Sequence, residues 1–402
     1  LNKTGQYGVG FNAVYHLTDV PSFFSSGDEI GDVLCVFDPH CKYVPGATKE
    51  APGQMFKEAT KLKAIFPDVF LGYLQEHFPI QNSTMFRFPL RTSNMAKESK
   101  ISQTPVAMEG LEKMMDTLKG ELYEALLFLN NLRKITLCEI DQNGEVVNSY
   151  FVEAQISGED SATRQQFAAY VKECGQSREK NDASPINATV EKCSYVLLLR
   201  DSYGYEEKWL IVQQIGFEKD VEPIIVQAYQ KNELGMLPRG GVACRLGMNP
   251  NEQKESETKG TNGKAYCFLP LPVETELPVH INGHFALEHE ARRNLWPVFH
   301  DDHRRHWNFA LVTDVITSCY LTLLDEVRSF HHLPLPGFGD RAIVTDSTTA
   351  LVSNLNAYEK LFPDVTTSDN SYWTALARSV YQEMDRQALR LFPVLKQEAP
   401  AE

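Results

Sequence analysis

The stretch Gly5–Phe23, GQYGVGFNAVYHLTDVPSF, decides how the rest of the chain is read. Gly5, Gly8 and Gly10 stand around and ahead of Val9, Phe11, Ala13, Val14 and Leu17, an apolar set spaced as on one face of a helix. Glycine admits backbone angles and a closeness of ligand approach that a Cβ forbids. A helix N-terminus directly after such a turn offers free N–H groups and the positive end of a dipole, which together suit phosphate. The alternative is a flexible loop before an ordinary helix, because a short glycine pattern is weak evidence by itself.

Downstream, DVLCVFDPH (Asp32–His40) reads as a strand ended by Pro39, and YVPGATKEAPGQ as turns. FPDVFLGYLQEH (Phe66–His77) has helical spacing, and STMFRFPLR (Ser83–Arg91) alternates as a strand does. Gly110–Asn131 predicts an amphipathic helix, and an Asn143-Gly144 turn then joins two strands in a hairpin. Lys192–Arg200, Lys208–Gly216, Gly240–Gly247 and Lys264–Pro272 are further predicted strands, with a mobile polar loop expected over Asn249–Lys264. Asp301–Phe330 is the clearest helix, capped by Asp301 or Asp302, and shorter helices are expected between Arg341 and Lys396.

The length of 402 residues predicts two or three domains. A net charge of −14 without a long Lys/Arg run repels a phosphate backbone, so nucleic acid is not the expected partner. No uninterrupted apolar run reaches the ~18–20 residues that span a bilayer. Neither an initiator Met nor a signal-like leader is present, so the expectation is a cytoplasmic fragment of a larger protein with no membrane contact. The eight cysteines form no C-x-x-C pair, and several sit in apolar runs, which predicts buried thiols in a reducing compartment.

Gly5–Phe23 closely resembles the segment G-x-x-G-x-G-F-N-x-V-Y-H-x-T-D-x-P-S-F of the sacsin repeat family. That family is related to the ninety-kilodalton heat-shock chaperones and the other GHKL ATPases. STMFRFPLR and YCFLPLPVETELPVHINGHFAL (Tyr266–Leu287) are similar to later segments of the same family, in family order. The resemblance implies an α/β (α+β) fold: part of a GHKL nucleotide-binding sandwich over residues 1–135, a chaperone-like middle domain over 136–330, and a helical extension over 331–402.

It also implies a molecular chaperone or co-chaperone that acts in protein folding or quality control, with ATP and magnesium as cofactors of the intact repeat. Gly5, Gln6, Tyr7, Gly8, Val9, Gly10 and Phe11 would wall the phosphates, and Thr84 would bond near adenine, with Ser83 standing where the family has glycine. Arg292 and Arg293 are the implied cations for the terminal phosphate, although an ungapped alignment puts Leu287 where related enzymes have lysine. The alternative for the arginine pair is a solvated role bonding the Asp301–Asp302 turn. Partners implied are protein clients, other chaperones and further repeats of the same parent chain. The Glu general base, the Asn ligand for magnesium and the D-x-G-x-G turn lie upstream of Gly5 in that family. Hydrolysis is therefore not expected of this stretch alone.

Two rival readings remain open. One is a non-catalytic scaffold that keeps the fold without using ATP. The other is a DNA-repair ATPase of the MutL kind, which would require a basic groove. The histidines between His280 and His306 lack cysteines at ligand spacing, so helix-end and surface histidines are the default over a zinc site.

Overall fold

A computed structural model describes residues 10–27, 31–79, 81–247, 262–288, 293–330, 358–364 and 371–391. The chain is a mixed α+β protein, as the sequence predicts, and divides into two compact units between Thr117 and Leu118.

The first unit is built on four antiparallel strands: β1 (Ser22–Ser26), β2 (Val33–Phe37), β3 (Gly53–Lys57) and β4 (Ser83–Arg87), in the order β3-β2-β1-β4. Because side chains alternate along a strand, Phe24 and Leu34 fall on one face. There they are buried with Ala59, Phe70 and Tyr73 of the short helices α1 (Ala59–Lys63) and α2 (Pro67–Leu71) and the turn that follows. The Tyr73 hydroxyl donates to Ser22 Oγ at 2.8 Å and ties that turn to β1. The predicted helix over Phe66–His77 is shorter, because after Leu71 the chain passes into turns with Leu74 at φ 47°. The strand Gly53–Lys57 lies partly in the stretch read as turns; Gly53, at φ 150°, is required there because a Cβ would meet Val36 O at 2.3 Å.

Two buried polar side chains hold the connections of this unit. Arg91 and Asp19, both essentially inaccessible, pair at 2.7 Å. The same guanidinium donates to the carbonyls of Tyr15 (2.6 Å), His16 (3.3 Å) and Thr18 (3.4 Å). A single arginine thus fastens the far end of the strand segment to the 3-10 helix Gly10–His16 and the residues after it. Asp38 Oδ2 accepts the amides of Lys42, Tyr43 and Val44 at 2.6–2.8 Å and folds the loop after β2 around one carboxylate. The helices α3 (Ser93–Glu98), capped by the Thr92 side chain, and α4 (Met108–Leu126) follow.

The second unit is an eight-stranded sheet between two helical layers. Its strands are β5 (Lys134–Ile140), β6 (Val146–Ile156), β7 (Glu191–Asp201), β8 (Glu206–Ile215), β9 (Arg239–Gly247), β10 (Lys264–Cys267), β11 (Leu269–Glu274) and β12 (His280–Gly283). They are ordered β11-β10-β12-β9-β8-β7-β6-β5, and all neighbours are antiparallel except β10 and β12. The β5–β6 hairpin turns where expected: Gly144 takes φ 84°, and Asp141 Oδ1 accepts the amides of Asn143 and Glu145. One face buries Tyr195, Leu197, Leu199 and Ile211 under the end of α4 and under α5 (Gly158–Glu179). The single predicted strand Lys264–Pro272 is instead two strands that reverse at Phe268, which has φ 68°.

The other face buries Leu210, Val212, Val242 and Cys244 under α6 (Pro223–Gln230), α7 and α8 (Ser371–Arg386). α7 runs through His303–Ala310, a wide π segment Leu311–Ile316 and Thr317–Phe330. Its N-cap is Asp302, whose side chain accepts the amides of Arg304 and Arg305. Gly240 lets α7 approach β9, since a Cβ there would sit 2.8 Å from Ile316 Cγ1. By length and composition α7 could cross a membrane, but 72% of its apolar window is buried inside the core of this unit. Cys174, Cys193, Cys244 and Cys319 are buried free thiols. The polar stretch expected to be a loop falls mostly outside the described residues.

Candidate functional site

The face of the first sheet opposite α1 and α2 carries Phe11 and Thr84, two of the sequence-predicted residues that the structure describes. Gly10 opens a 3-10 helix, Gly10–His16, in place of the predicted α-helix. With three residues per turn, Phe11, Val14 and Leu17 eclipse one another and are half-buried, as is Tyr15, while Asn12, Ala13 and His16 are exposed. Phe11 packs against Phe37 (ring centroids 5.1 Å apart) and Phe86 (6.2 Å). Phe23 joins them, 6.1 Å from Phe37 and 5.8 Å from Phe86.

Strand alternation puts Thr84 on this same face, two residues from Phe86 and directly across from Ser25. The Thr84 and Ser25 hydroxyls share a hydrogen bond of 2.8 Å. Thr84 is exposed, Phe86 keeps 54% of its surface and Met55, on the same face of β3, keeps 60%. Ser83, which stands where the resembling family has glycine, donates its hydroxyl to the Pro79 carbonyl at 3.0 Å. The result is a bared aromatic surface edged by two hydroxyls. Such a surface can stack a planar ring and exchange a hydrogen bond with its edge. Gly5, Gln6, Tyr7, Gly8 and Val9 lie outside the described residues.

Arg292 also lies outside them. Arg293 is exposed near the end of a loop that is closed by the Leu287–Leu295 bridge and by Asn294 Nδ2 donating to Glu288 Oε1 at 2.8 Å. At the α7 cap of the same unit, Asp301 pairs with Arg305 at 2.7 Å while Asp302 accepts amides. Among the described residues no group of three His, Cys, Asp or Glu side chains could hold a metal ion. The face offers a planar ring a surface to stack on, and among the described residues ligands for magnesium are not gathered there.

Of the second-unit histidines, His306 pairs with Glu222 and Asp301, while the buried His280 and His284 are structural acceptors. His280 Nδ1 accepts the Lys264 amide at 2.9 Å and His284 Nδ1 accepts the Leu237 amide at 2.9 Å. Burial pushes His280 down to about 4 and His284 down to about 3, so both stay neutral near pH 7.

Sequence reasoning does not single out a cavity of about 560 Å³ in the second unit. Tyr123, Tyr150, Tyr203, Tyr205 and Trp209 ring it. Its floor is the Glu207–Arg245 ion pair (2.9 Å), and Glu207 also accepts the Trp209 indole N–H at 2.8 Å. Beside these rings the lining carries Lys119, Glu124, Asn262 and His280, so aromatic surface comes with a few polar groups, as in a small-molecule pocket. The four tyrosines come from α4, β6 and the turn before β8, so only the folded topology reveals the cluster.

These features define a two-unit α+β module whose candidate ligand surface is a bare aromatic sheet face. Residues 1–151 match the Sacsin domain family model. The chain is 37% identical over 404 residues to Sacsin of Homo sapiens, an alignment covering 98% of this chain and 8% of the relative. The chain is sacsin-like across its length, and it spans about 8% of the length of that relative.

Proposed function

We propose that the chain is a chaperone-type module of a larger, cytoplasmic sacsin-like protein, and that it responds to ATP through the face carrying Phe11 and Thr84. One observation carries this reading: residues far apart in sequence, on separate motifs that resemble a nucleotide-binding family, lie on one side of the same sheet. In this reading adenine lies against Phe86 and Phe23, and the Thr84–Ser25 hydroxyl pair meets its polar edge. The Arg91–Asp19 pair keeps the segment after Gly10 anchored to the sheet. Gly5–Phe11 supply backbone amides to the phosphates, and Arg292 and Arg293 remain the proposed second-unit cations. ATP, with magnesium in the intact repeat, biases the module only if one of its states binds nucleotide better than another. Partners in this proposal are protein clients, other chaperones and neighbouring repeats, with no nucleic acid or membrane.

A second reading, an interaction scaffold without nucleotide, is favoured by Ser83 in the glycine position and by Leu287 in the lysine position. Equilibrium binding of radiolabelled ATP separates the two. Saturable binding supports the first, and no binding at millimolar ATP leaves the scaffold.

A further inference from the structure

Arg239, at the start of β9, is only 4% exposed. A buried guanidinium ordinarily faces a carboxylate, because desolvating an uncompensated charge costs several kcal/mol. Among the described residues Arg239 has no such partner. Among those residues its side chain donates from Nη2 to Gln213 Oε1 at 2.7 Å, and its Nε is buried with no acceptor. Aromatic rings cover it: Phe268 stands 5.3 Å and Phe167 5.7 Å from the guanidinium carbon. Burial, together with the like charge of Arg164, pushes it down to about 10, so it is still charged at neutral pH.

The neighbourhood is rich in donors. Gln213 and Asn282 stand across from Gly241 on the two strands that flank β9, so both share a face with Arg239, two residues along. Gly241 lets Gln213 lie across the strand, since a Cβ there would sit 3.0 Å from Gln213 Cγ. Asn282 spends its oxygen on the Phe268 amide (2.9 Å), and its Nδ2 is buried without an acceptor. Gln213 Nε2 donates to the Tyr195 hydroxyl at 2.8 Å, which leaves that hydroxyl proton to be given elsewhere. Arg164 stacks over the Tyr195 ring at 5.1 Å, bonds only neutral oxygens of Leu129 and Asn130, and has a buried Nε with no acceptor. Two cations, Arg239 on β9 and Arg164 on α5 above the Tyr195 ring of β7, thus lie near buried unspent N–H groups, and among the described residues neither is paired with a carboxylate.

We propose that Arg239, Asn282 and Arg164 form a binding site for a phosphate-type oxyanion in the second unit. The anion would neutralise the two guanidinium charges and accept the unspent donors, with the Tyr195 hydroxyl as a further donor. The site is independent of the nucleotide face of the first unit, and failure of that reading leaves it standing. The phosphate group could arrive as free inorganic phosphate or as the terminal group of a nucleotide.

The test is thermal unfolding of the full chain, followed by tryptophan fluorescence, in sodium phosphate against sodium chloride of matched ionic strength, with ATP as a separate arm. A ligand that binds only the folded state raises Tm with concentration. Phosphate is expected to raise the wild-type Tm progressively, and Arg239→Gln to weaken its apparent affinity at least tenfold. Arg164→Gln, at a half-buried position, should weaken it in the same direction and serves if Arg239→Gln fails to fold. A shift with inorganic phosphate assigns the free anion. An Arg239- and Arg164-dependent shift with ATP alone assigns the nucleotide's terminal group. No shift in either arm, or equal shifts in wild type and variants, overturns the site and leaves Arg239 as a packed cation between two rings.

Discussion

The two sheets of this protein are covered differently. The eight-stranded sheet carries helices on both faces, and its inward residues are nearly all inaccessible. The four-stranded sheet buries one face under α1 and α2 and leaves Met55 and Phe86 exposed on the other, where Phe11 of the 3-10 helix packs. Burial of apolar surface is the main favourable contribution to folding, so the second unit holds itself together through packing. The first unit leans more heavily on a few buried polar ties and keeps aromatic surface available for something else to cover.

The comparison breaks most sharply at Arg91. Arg91→Ala strands the inaccessible Asp19 carboxylate and frees four carbonyls, those of Tyr15, His16, Thr18 and Thr104, at a cost of roughly 3–5 kcal/mol. All four tryptophans, Trp209, Trp296, Trp307 and Trp373, belong to the second unit. The expected outcome is a lost or lowered first transition by circular dichroism while the tryptophan fluorescence transition stays put. A matching fall in both would show that the units do not unfold separately.

Acid should weaken the second unit next. Both buried histidines have folded pKa values below the unfolded value of about 6.5. Their neutral forms contribute fully above that value. As pH falls below it the unfolded chain takes up protons that the folded chain refuses, and stability is lost toward the folded values near 4 and 3. Lys264 beside His280 and Arg239 beside His284 oppose protonation further. A loss of a few kcal/mol between about pH 6.5 and 4 is expected, and His280→Gln should flatten it. An unchanged slope in that variant would remove His280 from the account.

A smaller effect is expected at Gly240, where Gly240→Ala drives a methyl against Ile316 and should cost about 1–3 kcal/mol on the tryptophan-detected transition alone. Least of all should be felt at the bare face. Thr84→Val and Phe86→Ser touch exposed positions and should shift stability by under about 0.5 kcal/mol, yet weaken ATP binding about tenfold. Destabilisation without a binding change would mark the face as ordinary core.

The contrast between the units also explains what could be read from the sequence. Val196, Leu198 and Trp209 to Val212 lie in long β-branched and aromatic runs, so β7 and β8 stand out, as does the apolar stripe of α7. Helix α5 does not, because its buried set, chiefly Phe167, Val171 and Cys174, is thinly spread among charged residues. The reversal at Phe268 is hidden because a phenylalanine at positive φ follows from tertiary packing and not from turn chemistry. Within the candidate site, Thr84 and Phe11 were legible through their motifs. Phe23 and Phe86 also lay in those motifs, but their roles depend on which face each strand turns outward. Arg239 and the tyrosine cluster gave no signal, since both are assembled from separate strands.

Photo-crosslinking with azido-ATP, followed by peptide mapping, tests the central claim most directly. The account predicts label on the peptide containing Ser83–Arg87, protected by excess ATP and lost in Thr84→Val. No protectable label, or label confined to peptides away from the β1–β4 face, would contradict it.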